Sequence, residues 1–120
     1  MVLVDTSIWI DHFRRGSSIL AGLLEDGLVA THPAVIGELA CGTLRQRATT
    51  LDLLGRLPTA VAASDVEALR LLDAHRLFGR GLGWVDVHLL AAAALTPCRL
   101  WTADRSLDQA ARRVRLAFDA

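Results

Sequence analysis

The chain has 120 residues, enough for a compact core, and is read as one domain over 1–120. Hydrophobic residues make up 52% and charged residues 22%, which excludes disorder, and the longest apolar run (89–95) is too short to cross a membrane. The 13 basic residues balance the 13 acidic ones; all are Arg, and the lack of Lys excludes Walker-type phosphate loops and Schiff-base chemistry.

The chain opens with MVLV (1–4), a short buried strand that runs into Asp5, Thr6 and Ser7. A helix follows over 17–26, with Ile19, Leu20, Leu23 and Leu24 at helical spacing behind a Ser cap. LVAT (28–31) is the second strand, and a helix starts at Pro33 with Val35, Ile36, Leu39 and Ala40 on one face. A weak strand is expected at 59–63. Ser64 and Glu67 form a capping box for a helix reaching about Phe78. The glycine-rich GRGLG (79–83) follows a helix, not a strand, so it reads as a connection and not as a phosphate cradle. A nearly all-apolar helix spans 85–95, CRLW (98–101) is a strand, another helix follows Asp104, and VRLAF (114–118) is a last strand. Strands alternating with amphipathic helices predict an α/β fold with a mainly parallel central sheet of four to five strands.

Four acids stand out against this framework. Asp5 and Asp104 each sit where an apolar strand gives way to a helix, the carboxyl end at which α/β folds place their sites. Asp86 lies in the first turn of the apolar helix, on the same face as Leu89, Leu90 and Ala93. Helix capping accounts for any one of these acids taken alone. Glu38 projects away from its helix's apolar stripe, among Ala34, Cys41 and Gly42, which also suits a plain surface position. Four carboxylates in one cleft would repel one another unless a divalent ion neutralised them, and an all-oxygen set selects Mg²⁺ or Mn²⁺ over zinc. Cys41 and Cys98 have no metal or CxxC spacing and read as reduced thiols of a cytoplasmic protein.

With those residues in view, the chain resembles the PIN-domain nucleases, and closely the VapC-type toxins of bacterial type II toxin–antitoxin systems. VDTSIWID, AVIGELACG, GLGWVDVHLLAAA and LWTADRSLDQAA are similar, in order, to the family's four acidic motifs. The resemblance implies a three-layer α/β/α sandwich and places catalytic, metal-holding carboxylates on Asp5, Glu38, Asp86 and Asp104. It implies a Mg²⁺- or Mn²⁺-dependent endoribonuclease, a homodimer, and a cognate antitoxin that blocks the acidic cleft. Thr6, Ser7 and Thr102 are candidates to support the acids, and Asp108, one turn past Asp104, is a candidate auxiliary ligand. Arg14, Arg15, Arg45 and Arg47 are candidate contacts to RNA phosphates, and Trp84, beside Asp86, to a base. Trp9 and Trp101 lie inside apolar runs and are expected to pack. A HAD-like phosphohydrolase also opens on a strand ending in Asp, but needs a second Asp where this chain has Ser7, and a Lys is absent. A PIN-like domain that only binds RNA or a partner would be expected to have lost some of the four acids.

Overall fold

The computed structural model describes residues 1–120. Its order is β1 (Val2–Val4), α1 (Thr6–Arg15), α2 (Ser18–Glu25), β2 (Val29–Ala30), α3 (Pro33–Cys41), α4 (Arg47–Gly55), α5 (Asp65–Ala74), α6 (Trp84–Leu95), β3 (Arg99–Trp101) and α7 (Arg105–Arg113). The three strands form one parallel sheet in the order β2-β1-β3, with Val2 beside Val29 and Arg99. The predicted outer strands at 59–63 and 114–118 are corrected to single parallel bridges, Thr31 with Thr59 and Leu100 with Ala117. The sheet thus has three true strands, with one-residue contacts extending it on either side.

This order fixes where the helices lie. From β1 to β2 and on to Thr59 the chain moves one way across the sheet; from there to β3 and Ala117 it moves back. Parallel crossovers are right-handed, so the two directions put their helices on opposite faces. The packing agrees: α1 with α3 and α3 with α4 form one layer, and α5 packs on α6 in the other. The result is the expected α/β/α sandwich. The chain reverses between β1 and β3, so the strand ends carrying Asp5 and Asp104 flank the crevice where such sheets bind ligands.

Leu3, Leu89, Leu90, Leu100 and Leu107 are fully buried and join β1, α6, β3 and α7 into one core. The run of Ala91–Ala93 lets α6 lie close to its neighbours, because a small side chain keeps the helix axis near the surface it packs on. Two helices lie outside the segments predicted as helical. One is α1, which starts directly after Asp5, and the other is α4. In addition α5 stops at Ala74, short of Phe78, where Arg76 takes a left-handed conformation (φ 51°) that a helix cannot continue through.

Candidate active site

The backbone of β1 and β3 brings the first two acids together: Asp5 N–H donates to the Trp101 carbonyl at 2.9 Å. Asp5 is buried at 7% exposure, yet its side chain caps nothing on α1. One oxygen, Oδ2, accepts from Ser7 Oγ and from Thr102 Oγ1, both at 2.8 Å. Those hydroxyls in turn accept from Ala103 N–H and Asp104 N–H, each at 3.0 Å. Each hydroxyl has one proton, and both protons are directed at Asp5, so the 3.3 Å approach of Ser7 Oγ to Thr102 Oγ1 is a contact without a donor. Thr102 thus couples two acids from opposite ends of the chain.

The other three carboxylates follow one rule. Asp104 Oδ2 accepts from Leu107 N–H at 2.8 Å and caps α7. Asp86 Oδ2 reaches back to Gly83 N–H at 2.9 Å at the start of α6. Glu38 Oε1 accepts from Thr6 Oγ1 at 2.7 Å, which ties α3 to the residue after Asp5. Each acid therefore uses one oxygen to fix its own orientation and leaves the other without a protein partner. Capping and site chemistry, alternatives in the sequence, coexist in the same side chains.

None of the four is in an ion pair; the ion pairs of the molecule lie elsewhere, on Asp11, Asp52, Asp65, Asp108 and Asp119. The consequence is visible at Asp86. Burial pushes its carboxyl above the ordinary range, the Gly83 N–H opposes that, and the charges of Asp104, Asp5 and Glu38 raise it further. Asp86 therefore lies in the field of three other acids that have no cationic partner. No three His, Cys, Asp or Glu side chains converge tightly enough to form a ready-made cage for an ion. Mg²⁺ does not require one, since it keeps several waters and is held by one or two carboxylates. Hard oxygen donors, one free oxygen per acid and no cationic partner fit such an ion.

The remaining candidates separate. Thr6, Ser7 and Thr102 touch the acids as described. Asp108 turns away: its Oδ2 accepts from Arg112 Nε at 2.9 Å. Arg15 pairs with Asp11 at 3.3 Å, and Arg47 donates through Nε and Nη2 to the Ala40 carbonyl, closing the end of α3. Arg14 and Arg45 are free of protein partners and line, with Glu38, Ile10, Phe13 and Leu44, an open cavity of ≈ 560 Å³ beside the acids. Trp84 is 45% exposed and stands edge-on to His88 at 4.7 Å, itself tied to Asp65 at 3.0 Å. Trp9 is buried, and Trp101 packs on Phe118.

One positioning residue escaped the sequence reading. His32 is buried, and its Nδ1 accepts from Ala34 N–H at 3.0 Å, capping the helix that carries Glu38. The signal was present as a His directly before the Pro that opens α3.

A family model described as the PIN domain matches residues 2–113, a span that contains all four acids. Two curated relatives, both "Ribonuclease VapC32" from Mycobacterium tuberculosis (strains CDC 1551 / Oshkosh and ATCC 25618 / H37Rv), are 48% identical over 111 residues, covering 92% of this chain and 90% of theirs. Among solved structures, PAE2754 from Pyrobaculum aerophilum superposes with a TM-score of 0.60 at 19% identity, covering 96% of this chain and 88% of that one. At that identity the likeness speaks to the fold alone.

Proposed function

The chain belongs to the PIN-domain family, and from that membership we propose that it is a VapC-type endoribonuclease that hydrolyses RNA phosphodiester bonds with the help of Mg²⁺ or Mn²⁺. The observation that carries this reading is the set of four unpaired carboxylates, each anchored through one oxygen and free at the other. Asp5, Asp86 and Asp104 would hold the ion, with Glu38 as the fourth acid of the set. The chemistry supplied by the bound ion is Lewis-acid polarisation of the scissile phosphate and a lowered pKa for the attacking water.

The protein's own part is orientation. Ser7 and Thr102 hold Asp5 against rotation, so its free oxygen is presented at a fixed angle. Thr6 holds one oxygen of Glu38, and the other accepts a hydrogen bond from the attacking water and aligns it with the phosphorus. Water, and not the ribose 2′-hydroxyl, is the nucleophile, so the products carry a 5′-phosphate and a 3′-hydroxyl. Arg14 and Arg45 offset the repulsion between the acids and the RNA backbone from the rim of the neighbouring cavity, and Trp84 offers a face to a base. Arg15 and Arg47 already have structural partners and contribute less.

The relatives are ribonucleases by name, and the reading extends to a toxin held in check by an antitoxin that covers the acidic cleft. A homodimer completes the proposal: Val66 and Leu69 on α5, with Phe78 beyond it, leave apolar surface uncovered. No helix is long and apolar enough to cross a membrane, which suits a protein working on RNA in the cytoplasm.

The test is cleavage of total cellular RNA by purified protein with Mg²⁺ or Mn²⁺, with EDTA, and with Asp86→Asn. The Asn oxygen still accepts from Gly83 N–H, so the variant is expected to fold, and removal of a half-buried negative charge among three other acids should raise its melting temperature in EDTA. We expect cleavage that needs the ion and is lost in the variant. Cleavage untouched by both EDTA and the substitution overturns the reading.

A further inference from the structure

Just beyond Asp104 in the chain, the first turn of α7 is approached by the segment 79–83. Gly81 is left-handed at φ 81°, a conformation that favours glycine, and a Cβ there would stand 3.1 Å from Ser106 Oγ, a tight approach. Between them lies a second cavity of ≈ 260 Å³, lined by Arg80, Ser106, Gln109, Ala110 and Arg113. Its lining contains no carboxylate. Ser106, Gln109, Ala110 and Arg113 form one face of α7, at i, i+3, i+4 and i+7. At 1.5 Å per residue this face runs about 10 Å along the helix, starting two residues beyond Asp104.

The two arginines are fixed by the same turn. Arg80 Nε donates to the Arg76 carbonyl at 3.1 Å, and Arg113 Nε to the His75 carbonyl at 3.2 Å. Each guanidinium is thus held through its inner nitrogen, while its outer nitrogens have no protein acceptor. Neither arginine is in an ion pair, whereas Arg112, next in the chain, is paired with Asp108 and Asp119. Two like charges anchored side by side on one cavity repel unless an anion lies between them. Ser106 Oγ and the Gln109 amide have no protein partner and add donors.

We propose that this cavity is a phosphate-binding subsite: Arg80 and Arg113 grip a phosphate group from either side, with Ser106 and Gln109 completing its hydrogen bonds. Resting on the ribonuclease reading, the phosphate is a backbone group of the RNA strand as it passes Asp104. The strand being cut would then be held by the arginines of two cavities, Arg14 and Arg45 in one and Arg80 and Arg113 in the other.

The test has two arms. In the first, binding of a short fluorescent single-stranded RNA is followed by anisotropy against NaCl, in an Asp86→Asn background that stops cleavage. Arg80→Gln and Arg113→Gln are each expected to weaken binding several-fold and to flatten the log–log salt slope by about 0.7, the value for one phosphate contact on a single strand. Ser106→Asp places a negative charge in the cavity, but at a helix position where Asp is favourable, so it weakens binding without lowering the melting temperature. In the second arm, inorganic phosphate is titrated against the full-length chain by NMR, and the Ser106 and Gln109 amides are expected to shift. RNA binding and salt slope untouched by all three substitutions, with no phosphate-induced shift, overturn the subsite while leaving the nuclease standing. Phosphate shifts in a chain that binds and cuts no RNA keep the subsite, reassign it to a free phosphate compound, and overturn the nuclease.

Discussion

Thr102 gives one hydroxyl to two acids: it donates to Asp5 and accepts from the backbone of Asp104. Thr102→Val keeps the shape and removes both bonds at an 8% exposed position, so it should cost about 1–3 kcal/mol. It should also lower cleavage or ion affinity by about 10–100-fold, the usual effect of removing a group that orients a ligand. Urea unfolding and an Mn²⁺ titration of Thr102→Val beside Thr102→Ser check this. If Val cleaves as well as wild type, the hydroxyl serves the turn alone. His32 makes the second prediction. Its pKa is lowered, first by burial and then by the charge of His88, and Nδ1 must stay unprotonated to cap α3, so the proton sits on the buried, unpartnered Nε2. The unfolded chain therefore takes up the proton first. Stability is full above the unfolded value near 6.5 and falls as pH drops through it toward the lower folded value. His32→Asn, a good cap that does not titrate, should lose less stability than wild type between pH 7.5 and 5.5, by chemical denaturation at both.

Helix α4 shows why some of the fold could not be read from the chain. Its sequence, RATTLDLLG, has two β-branched residues and a glycine, buries only Leu54, and begins without a side-chain cap at Gln46, which is left-handed at φ 48°. Local preference and periodicity were both weak, and tertiary contact decides the outcome. Part of that contact is Arg47 on the Ala40 carbonyl. Arg47→Ala should therefore lower stability by about 0.5–1.5 kcal/mol and leave RNA affinity unchanged, by thermal melts and anisotropy on the same sample. A fall in affinity with unchanged stability would return Arg47 to the RNA surface. The outer strands failed for the converse reason: 59–63 and 114–118 have strand composition, but each meets the sheet at one residue. Asp5 and Asp104 stood out because an apolar strand running into an acid is a local pattern, and Asp86 because it shares the apolar face of its helix, whereas Glu38 was singled out chiefly by the resemblance. The Arg80–Arg113 pairing was not, because the turn that joins them offers only backbone carbonyls, which any sequence would supply.

Zero net charge hides a segregated arrangement: four acids without cationic partners, two of them following β1 and β3, and two cavities lined by free arginines. A balanced chain has little long-range field to steer a polyanion, so RNA association should depend on contacts made after encounter. Arg14, Arg45, Arg80 and Arg113 are the cavity-lining arginines without acidic partners. Four phosphate contacts predict a slope of log affinity on log NaCl of about −3 for a single strand, at fixed Mg²⁺. Arg14→Ala and Arg45→Ala should each flatten that slope by about 0.7. Arg56→Ala removes the same charge from an exposed pair with Asp52 and should leave the slope alone. Because every one of these substitutions changes net charge by the same amount, a difference between them can come only from position. Equal effects from Arg56 and the four cavity-lining arginines would mean that RNA senses the total charge of the molecule, and the grip by the two cavities would be wrong.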